Sequence, residues 1–364
     1  MYAAVPRIIP TPVIIAGVVI VGDCDTCEAL PTGSTAFANP KSSPFTSRYI
    51  ARRDPESGWA NEAISPLREG VLFPGLDTQY RAFSEDLSQG WLVTETEPVL
   101  AAGGLPGYRN LYRRDNGTGA YQAQCAAAPE GTSAFDYRLE PQGFSADGSH
   151  LVFMAEGQLP GTGAAAIGKV PQLYECVNGT ELRLVSVLPG GGASPDGGSA
   201  GTADGGLGGF ALRASNVTNA ISEDGSRIFW TAKATGPGAL YVRIDGTETV
   251  QIAAEGGRFR AASPDGSRVV YTAGKRLLEA AVEPGAVSST EIAGEVDGVM
   301  GMSEDTQLIY FVSKEDLDGS GSATTGKPNL YLYRAEEDSF TFIGILSEDD
   351  AREAGRARGR GQGD

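Results

Sequence analysis

Three chemistries have their residue types in this sequence: a serine nucleophile, a metal centre and a pair of catalytic carboxylates. The string Gly197-Gly198-Ser199-Ala200-Gly201 matches the GxSxG pattern, which in a nucleophile elbow sets the serine on a strand-to-helix turn. Here it lies inside a Gly-rich stretch, residues 190–209, with no apolar strand before it and no helical pattern after it. Chance composition in a flexible loop is the better reading. A triad also needs a histidine base, and the single histidine, His150, falls at a repeat position held elsewhere by arginine. One histidine likewise excludes His-rich metal centres. The 46 acidic residues contain enough carboxylates for a glycosidase-like or lyase-like pair, yet no pair stands apart from the repeat described below. Asp316, Asp318 and Ser320 alternate oxygens ahead of a Gly bend, as calcium loops do, but without the terminal bidentate Glu. A plain acidic connection is the favoured reading, structural calcium the alternative, and no other cofactor is expected. Cys24 and Cys27 form a CxxC; zinc needs four ligands, so a structural disulfide or free thiols fits better.

The elements that position these residues come from an internal repeat. Five copies run FSEDLSQGWLV from Phe83, FSADGSHLVF from Phe144, ISEDGSRIFW from Ile221, ASPDGSRVVY from Ala262 and MSEDTQLIYF from Met302. Each places Ser and Asp two residues apart: Ser84 and Asp86, Ser145 and Asp147, Ser222 and Asp224, Ser263 and Asp265, Ser303 and Asp305. Short oxygen side chains accept hydrogen bonds from backbone amides just ahead, and Gly supplies a positive φ, so each copy reads as a hairpin turn between two inner strands. The β-branched and aromatic residues that follow, such as Arg227-Ile228-Phe229-Trp230, suit a strand buried on both faces.

A second signal follows each turn. Tyr112, Tyr174, Tyr241 and Tyr331 lie 28, 29, 19 and 28 residues after Ser84, Ser145, Ser222 and Ser303. Asn116-Gly117, Asn178-Gly179 and Asp245-Gly246 come just after three of these tyrosines and read as type I′ turns joining a third strand to a fourth. Asn116, Asn178 and Asn216 also begin Asn-x-Ser/Thr strings, read here as turn chemistry rather than glycan acceptors. Successive Ser positions are 61, 77, 41 and 40 residues apart (145−84, 222−145, 263−222, 303−263). Forty residues make one four-stranded blade, and the longer intervals are insertions placed between blades.

The intact Ser263-Pro264-Asp265-Gly266 turn, recurring in register from Phe83 to Leu346, resembles the TolB-like, WD-repeat-like propeller family. The resemblance implies a β-propeller outside the cytoplasm that binds proteins or peptides, in blades that also occur fused to peptidase domains. Leu87 and Thr306 replace the turn Gly, and no Trp-Asp ending of the WD type occurs. A pair of immunoglobulin-like sandwiches fits the 40-residue period less well and lacks the Cys, Trp, Cys spacing.

The expectation is therefore an all-β fold, a propeller of about six four-stranded antiparallel blades over residues 39–347, with a disordered tail over 348–364. Residues 1–38 are either a signal segment or a first-blade strand: Val13–Val21 is too short to span a bilayer but long enough for a signal core. The repeat alignment sets Cys125 and Cys176 in neighbouring blades, favouring that pair as a disulfide and leaving Cys24 with Cys27. An even cysteine count suits an extracellular or periplasmic compartment. The net charge of −17 repels phosphate backbones and anionic headgroups, so nucleic acid is not an expected partner and no integral span is expected. What remains is a non-enzymatic binding module for a protein or peptide, with a propeller enzyme or the propeller part of a larger peptidase as the alternative.

Overall fold

In a computed structural model of the chain, the described residues are 18–24, 47–54, 58–66, 80–84, 86–95, 98–162, 170–202, 218–234 and 236–351. The chain divides into two compact units, Met1–Ala126 and Ala127–Asp364. Both are all-β, built from antiparallel sheets whose neighbours in space are neighbours in sequence.

The first unit holds two sheets. One is three-stranded: β1 (Val18–Cys24), β2 (Ser47–Asp54) and β3 (Gly58–Ala63). The other is a four-stranded meander of β4 (Tyr80–Phe83), β5 (Gln89–Thr94), β6 (Asn110–Asp115) and β7 (Tyr121–Ala123). The apolar run thus ends in a strand, with Val21 paired to Tyr49; residues 13–17 lie outside the described residues, as does any strand of Ile8–Gly17. Ile50, Ile64, Tyr80, Leu92 and Tyr112 form the core between the two sheets. Polar groups seal its rim: Tyr80 donates to the Ile64 carbonyl at 2.7 Å, and buried Arg114 pairs with Glu62 at 2.8 Å.

The second unit starts with β8 (Glu140–Phe144), β9 (His150–Ala155), β10 (Gln172–Val177) and β11 (Glu181–Leu184) in one meander. A seven-stranded sheet follows: β12 (Ser199–Ala200), β13 (Arg227–Thr231), β14 (Gly238–Ile244), β15 (Glu248–Ala262), β16 (Arg268–Ala273), β17 (Arg276–Glu283) and β18 (Ala286–Ala293). The last sheet is β19 (Val296–Met302), β20 (Leu308–Ser313), β21 (Asn329–Arg334) and β22 (Ser339–Ile345). Strand β15 serves two meanders, because Glu248–Ala253 pairs with β14 while Gly257–Ala262 pairs with β16. Gly256, at φ +88°, and Gly257 make the passage; a Cβ on Gly257 would meet that of Ala253 at 2.9 Å. The period of about 40 residues is thereby visible as successive meanders.

Alternation explains the apolar runs. On β16, Val269 and Tyr271 join the core shared with the β8–β11 sheet, while Val270 joins the core shared with the β19–β22 sheet. A strand covered on both faces must be apolar on both, and each fully buried aliphatic or aromatic side chain contributes roughly 1.5–3 kcal/mol. Trp230 stacks on Tyr241 at 4.9 Å and Phe311 on Tyr331 at 5.9 Å, each pair joining neighbouring strands of its meander.

Two expectations are corrected. The Gly-rich stretch is not all loop: Ser199 and Ala200 are buried and pair with Thr231 and Trp230, so part of this insertion belongs to a sheet rather than to a connection between sheets. Its glycines serve packing there, since a Cβ on Gly197 would lie 2.2 Å from the Pro171 carbonyl oxygen. The tail, in turn, does not begin at 348. Residues 348–351 form a helical turn capped by Ser347, whose Oγ accepts the Asp350 amide at 3.1 Å and donates to the Asp350 carboxylate at 2.7 Å, a reciprocal cap. Ala351 then packs on Val312.

Candidate functional site

All five Ser-x-Asp motifs form hairpin turns that share one backbone-capping geometry, with Gln307 replacing the second serine in the Ser303 copy. In the turn at Ser222, the serine Oγ donates to Asp224 at 2.7 Å and accepts the Arg227 amide at 2.9 Å. Asp224 Oδ1 also accepts the Ser226 amide at 2.9 Å and its hydroxyl at 2.8 Å. Ser84, Ser145, Ser263 and Ser303 make the equivalent bonds to Asp86, Asp147, Asp265 and Asp305. Hydrogen bonds from Ser84 and Ser263 are the main cause holding Asp86 and Asp265 below the ordinary carboxylate range. At Asp147 and Asp224 burial pushes the carboxyl up, but the flanking serines more than offset it. Leu87 and Thr306, which replace the turn Gly, still adopt φ 58° and 61°.

The turns of the second unit are linked to one another, a feature that local sequence does not announce. The Ala146 amide donates to the Glu223 carbonyl and the Glu223 amide to the Pro264 carbonyl, both at 2.8 Å. Pro264 has no N–H, and the next link is made instead by Asn219, whose side chain donates to the carbonyls of Ala262 at 3.0 Å and Glu304 at 3.2 Å. The first residue of each second strand then reaches forward. Arg227 donates to the Asp265 carbonyl at 2.9 Å, and Arg268 to the Thr306 carbonyl at 3.0 Å. His150, at the same position, packs its ring on the following turn, where a Cβ on Gly225 would sit 2.2 Å from it. Its Nδ1 lies 2.6 Å from buried Glu175, and Arg183 approaches the same carboxylate at 3.8 Å. His150 is therefore a turn residue with a structural partner. Outward from this linked framework, Asp147, Glu223, Asp224, Asp265, Glu304 and Asp305 are exposed.

The third-strand tyrosines lie on β6, β10, β14 and β21, as their spacing predicts, and three of them hold the loop joining second strand to third. Tyr174 donates to the Gly157 carbonyl at 2.7 Å and Tyr331 to the Glu315 carbonyl at 2.8 Å; Tyr112 accepts the Leu100 amide at 3.4 Å. Burial pushes the Tyr174 hydroxyl up to about 12. Asn178-Gly179 and Asp245-Gly246 have both central φ values positive, as type I′ requires. Asn116-Gly117 does not: Asp115 Oδ1 accepts the amides of Gly117 and Thr118, each at 2.8 Å, and positive φ moves to Gly119.

The remaining candidates are not brought together. Ser199 is fully buried and donates to the Lys233 carbonyl at 2.9 Å, an arrangement without a base. Asp316, Asp318 and Ser320 spend their side chains on the backbone amides of Gly319, of Ser320 and Phe342, and of Ser322. Among the described residues no three His, Cys, Asp or Glu side chains are arranged to hold a metal. Cys125 and Cys176 are each disulfide-bonded; Cys27, the side chain of Cys24, and Asn216 lie outside the described residues. No described helix is long and apolar enough to cross a membrane.

No protein-family model and no curated sequence matches the chain. Similar solved structures include prolyl oligopeptidase B from Galerina marginata, at 11% identity and TM-score 0.43, matching 92% of this chain and 44% of that one. Dipeptidyl peptidase 4 from Porphyromonas gingivalis matches at 12% identity and TM-score 0.42, over 82% and 45% of the two chains. A functionally unknown protein from Desulfotomaculum acetoxidans matches at 10% identity and TM-score 0.33, over 83% and 79%. This chain spans less than half the length of the two peptidases.

Proposed function

We propose that this chain is a non-enzymatic recognition module, a six-bladed propeller acting outside the cytoplasm, that binds a basic protein or peptide segment on the end of its blades carrying the Ser-x-Asp turns. The observation that carries the reading is the linked turn framework of the second unit. It fixes acidic side chains at Glu223, Asp224, Asp265, Glu304 and Asp305 on a backbone tied turn to turn, while Arg227 and Arg268 are engaged with neighbouring carbonyls. A preordered surface spares the ligand much of the ordering cost of association, and single-sign charge speeds encounter with an oppositely charged partner. The disulfide-bonded Cys125 and Cys176 support an oxidising compartment.

The same surface serves a second reading, the non-catalytic part of a larger peptidase, which the repeat's resemblance implies and which the names of the two peptidases above match; the ligand is then a peptide on its way to a separate catalytic domain. Titrating fluorescent Lys/Arg-rich and Glu/Asp-rich peptides against the full chain tests the common element. Binding of the basic peptide alone, weakened by Glu223→Lys with Glu304→Lys, is expected. No binding, or binding indifferent to the charge reversals, overturns both readings. Whether the natural polypeptide continues into a domain with a serine nucleophile then separates them.

A further inference from the structure

The sequence contains two Asn-Gly dipeptides, at Asn116 and Asn178, and the fold treats them in opposite ways. Asn116 is 1% exposed. Its Nδ2 donates to the Leu87 carbonyl at 2.8 Å and its Oδ1 accepts from Arg114 at 2.8 Å, so the carboxamide is clamped at both ends. Asn178 is exposed at the tip of the β10–β11 hairpin, and among the described residues no hydrogen bond holds its side chain. We propose that Asn178 is a site of spontaneous deamidation and isoaspartate formation, from which burial and clamping protect Asn116.

The chemistry needs only the chain and water. The Gly179 backbone nitrogen attacks Cγ of Asn178; the new N–C bond forms as the Cγ–Nδ2 bond breaks, and the Gly179 amide proton departs with the amide group as ammonia. Glycine has no side chain to hinder that approach. Water then adds to the five-membered succinimide, and opening one or the other of its C–N bonds leaves aspartate or isoaspartate. At Asn116 the same attack first requires two buried hydrogen bonds to break. At about 0.5–1.5 kcal/mol each, they slow the reaction roughly five-fold to a hundred-fold.

The position gives the reaction a consequence. The Asn178 amide donates to the Ser149 carbonyl at 2.7 Å, tying the hairpin to the Ser145 turn of the same meander. Isoaspartate inserts a methylene into the backbone of this tight turn, and either product adds a carboxylate near Glu181. The affected hairpin carries Glu175, the partner of His150, and Arg183, which approaches the same carboxylate.

Ageing the full chain at mildly alkaline pH, then mapping its peptides by mass spectrometry, reads both sites at once, with a parallel sample in denaturant. Folded protein is expected to convert at Asn178 at least about five-fold faster than at Asn116, and unfolded protein to convert at both sites alike. Equal folded rates, a faster Asn116, or an Asn178 that converts only in denaturant would overturn the proposal.

Discussion

A turn aspartate that accepts two or three hydrogen bonds is stabilised in its charged form, and this fixes the direction of the acid response. Asp86, Asp147, Asp224, Asp265 and Asp305 all titrate below their ordinary value in the folded chain. Their contribution is complete above the unfolded value of about 4 and is lost as pH falls through the lower folded values. Thermal melts should therefore show a steady drop in midpoint below about pH 4, and Asn at two or three of these positions should flatten it; a midpoint insensitive to acid would contradict the turn geometry. Replacing Asp224 by Ala removes the acceptor of the Ser222, Ser226 amide and Ser226 hydroxyl bonds, and at this exposed site about 1 kcal/mol of lost stability is expected in urea unfolding. His150→Ala is a harsher change. It strips buried Glu175 of its nearest partner and leaves only Arg183 at 3.8 Å, a poorly compensated buried carboxylate expected to cost about 1–3 kcal/mol.

The turns at Ser222 and Ser263 are also surfaces against which the preceding meander closes, so their glycines answer to two demands. Gly225 needs φ +73° and has the His150 ring over it, with Cγ 2.2 Å and Cβ 2.6 Å from where a methyl would sit; Gly236 has φ +80° and open space. Alanine at Gly236 should cost only the left-handed conformation, about 1–2 kcal/mol, whereas alanine at Gly225 should cost clearly more. Combining Gly225→Ala with His150→Ala should recover part of the excess but not all, because His150 Cβ stays in place; strictly additive losses would mean that the ring does not set the turn. The first demand is legible in sequence, since Ser-x-Asp-Gly is local chemistry, and the same holds for the third-strand tyrosines and the hairpins at Asn178 and Asp245. The second demand is not, because it involves residues about 75 positions away, between His150 and Gly225. Other differences have the same origin. Ser199-Ala200 looked like loop because glycines that allow close packing are indistinguishable in sequence from glycines that allow flexibility. Asn116 looked like a type I′ turn until Asp115 and Leu87 offered better partners. Asn219, which bridges two carbonyls past Pro264, had no repeat signal at all.

For the whole molecule, charge sets two responses with opposite signs. Forty-six acidic against 29 basic side chains leave −17, and several of the described cations are already committed, Arg268 to Glu279, Arg276 to Glu291 and Lys275 to Glu295. These pairs are mostly exposed and contribute little each, so the unpaired acids dominate as self-repulsion in the folded state. Salt shortens the Debye length from about 30 Å at 0.01 M to about 8 Å at 0.15 M, which relieves repulsion spread over the surface more than it weakens contacts at hydrogen-bond distance. The melting temperature should therefore rise over that range of sodium chloride. A basic peptide on the turn face experiences the same field as attraction, so its affinity should fall over the same range. Measured on one sample, the two slopes distinguish the sources of charge energy. A melting temperature that falls with salt would place the balance in the ion pairs and remove the excess acidic field on which peptide steering depends. A rising melting temperature with salt-independent binding would instead move the ligand off the acidic turns.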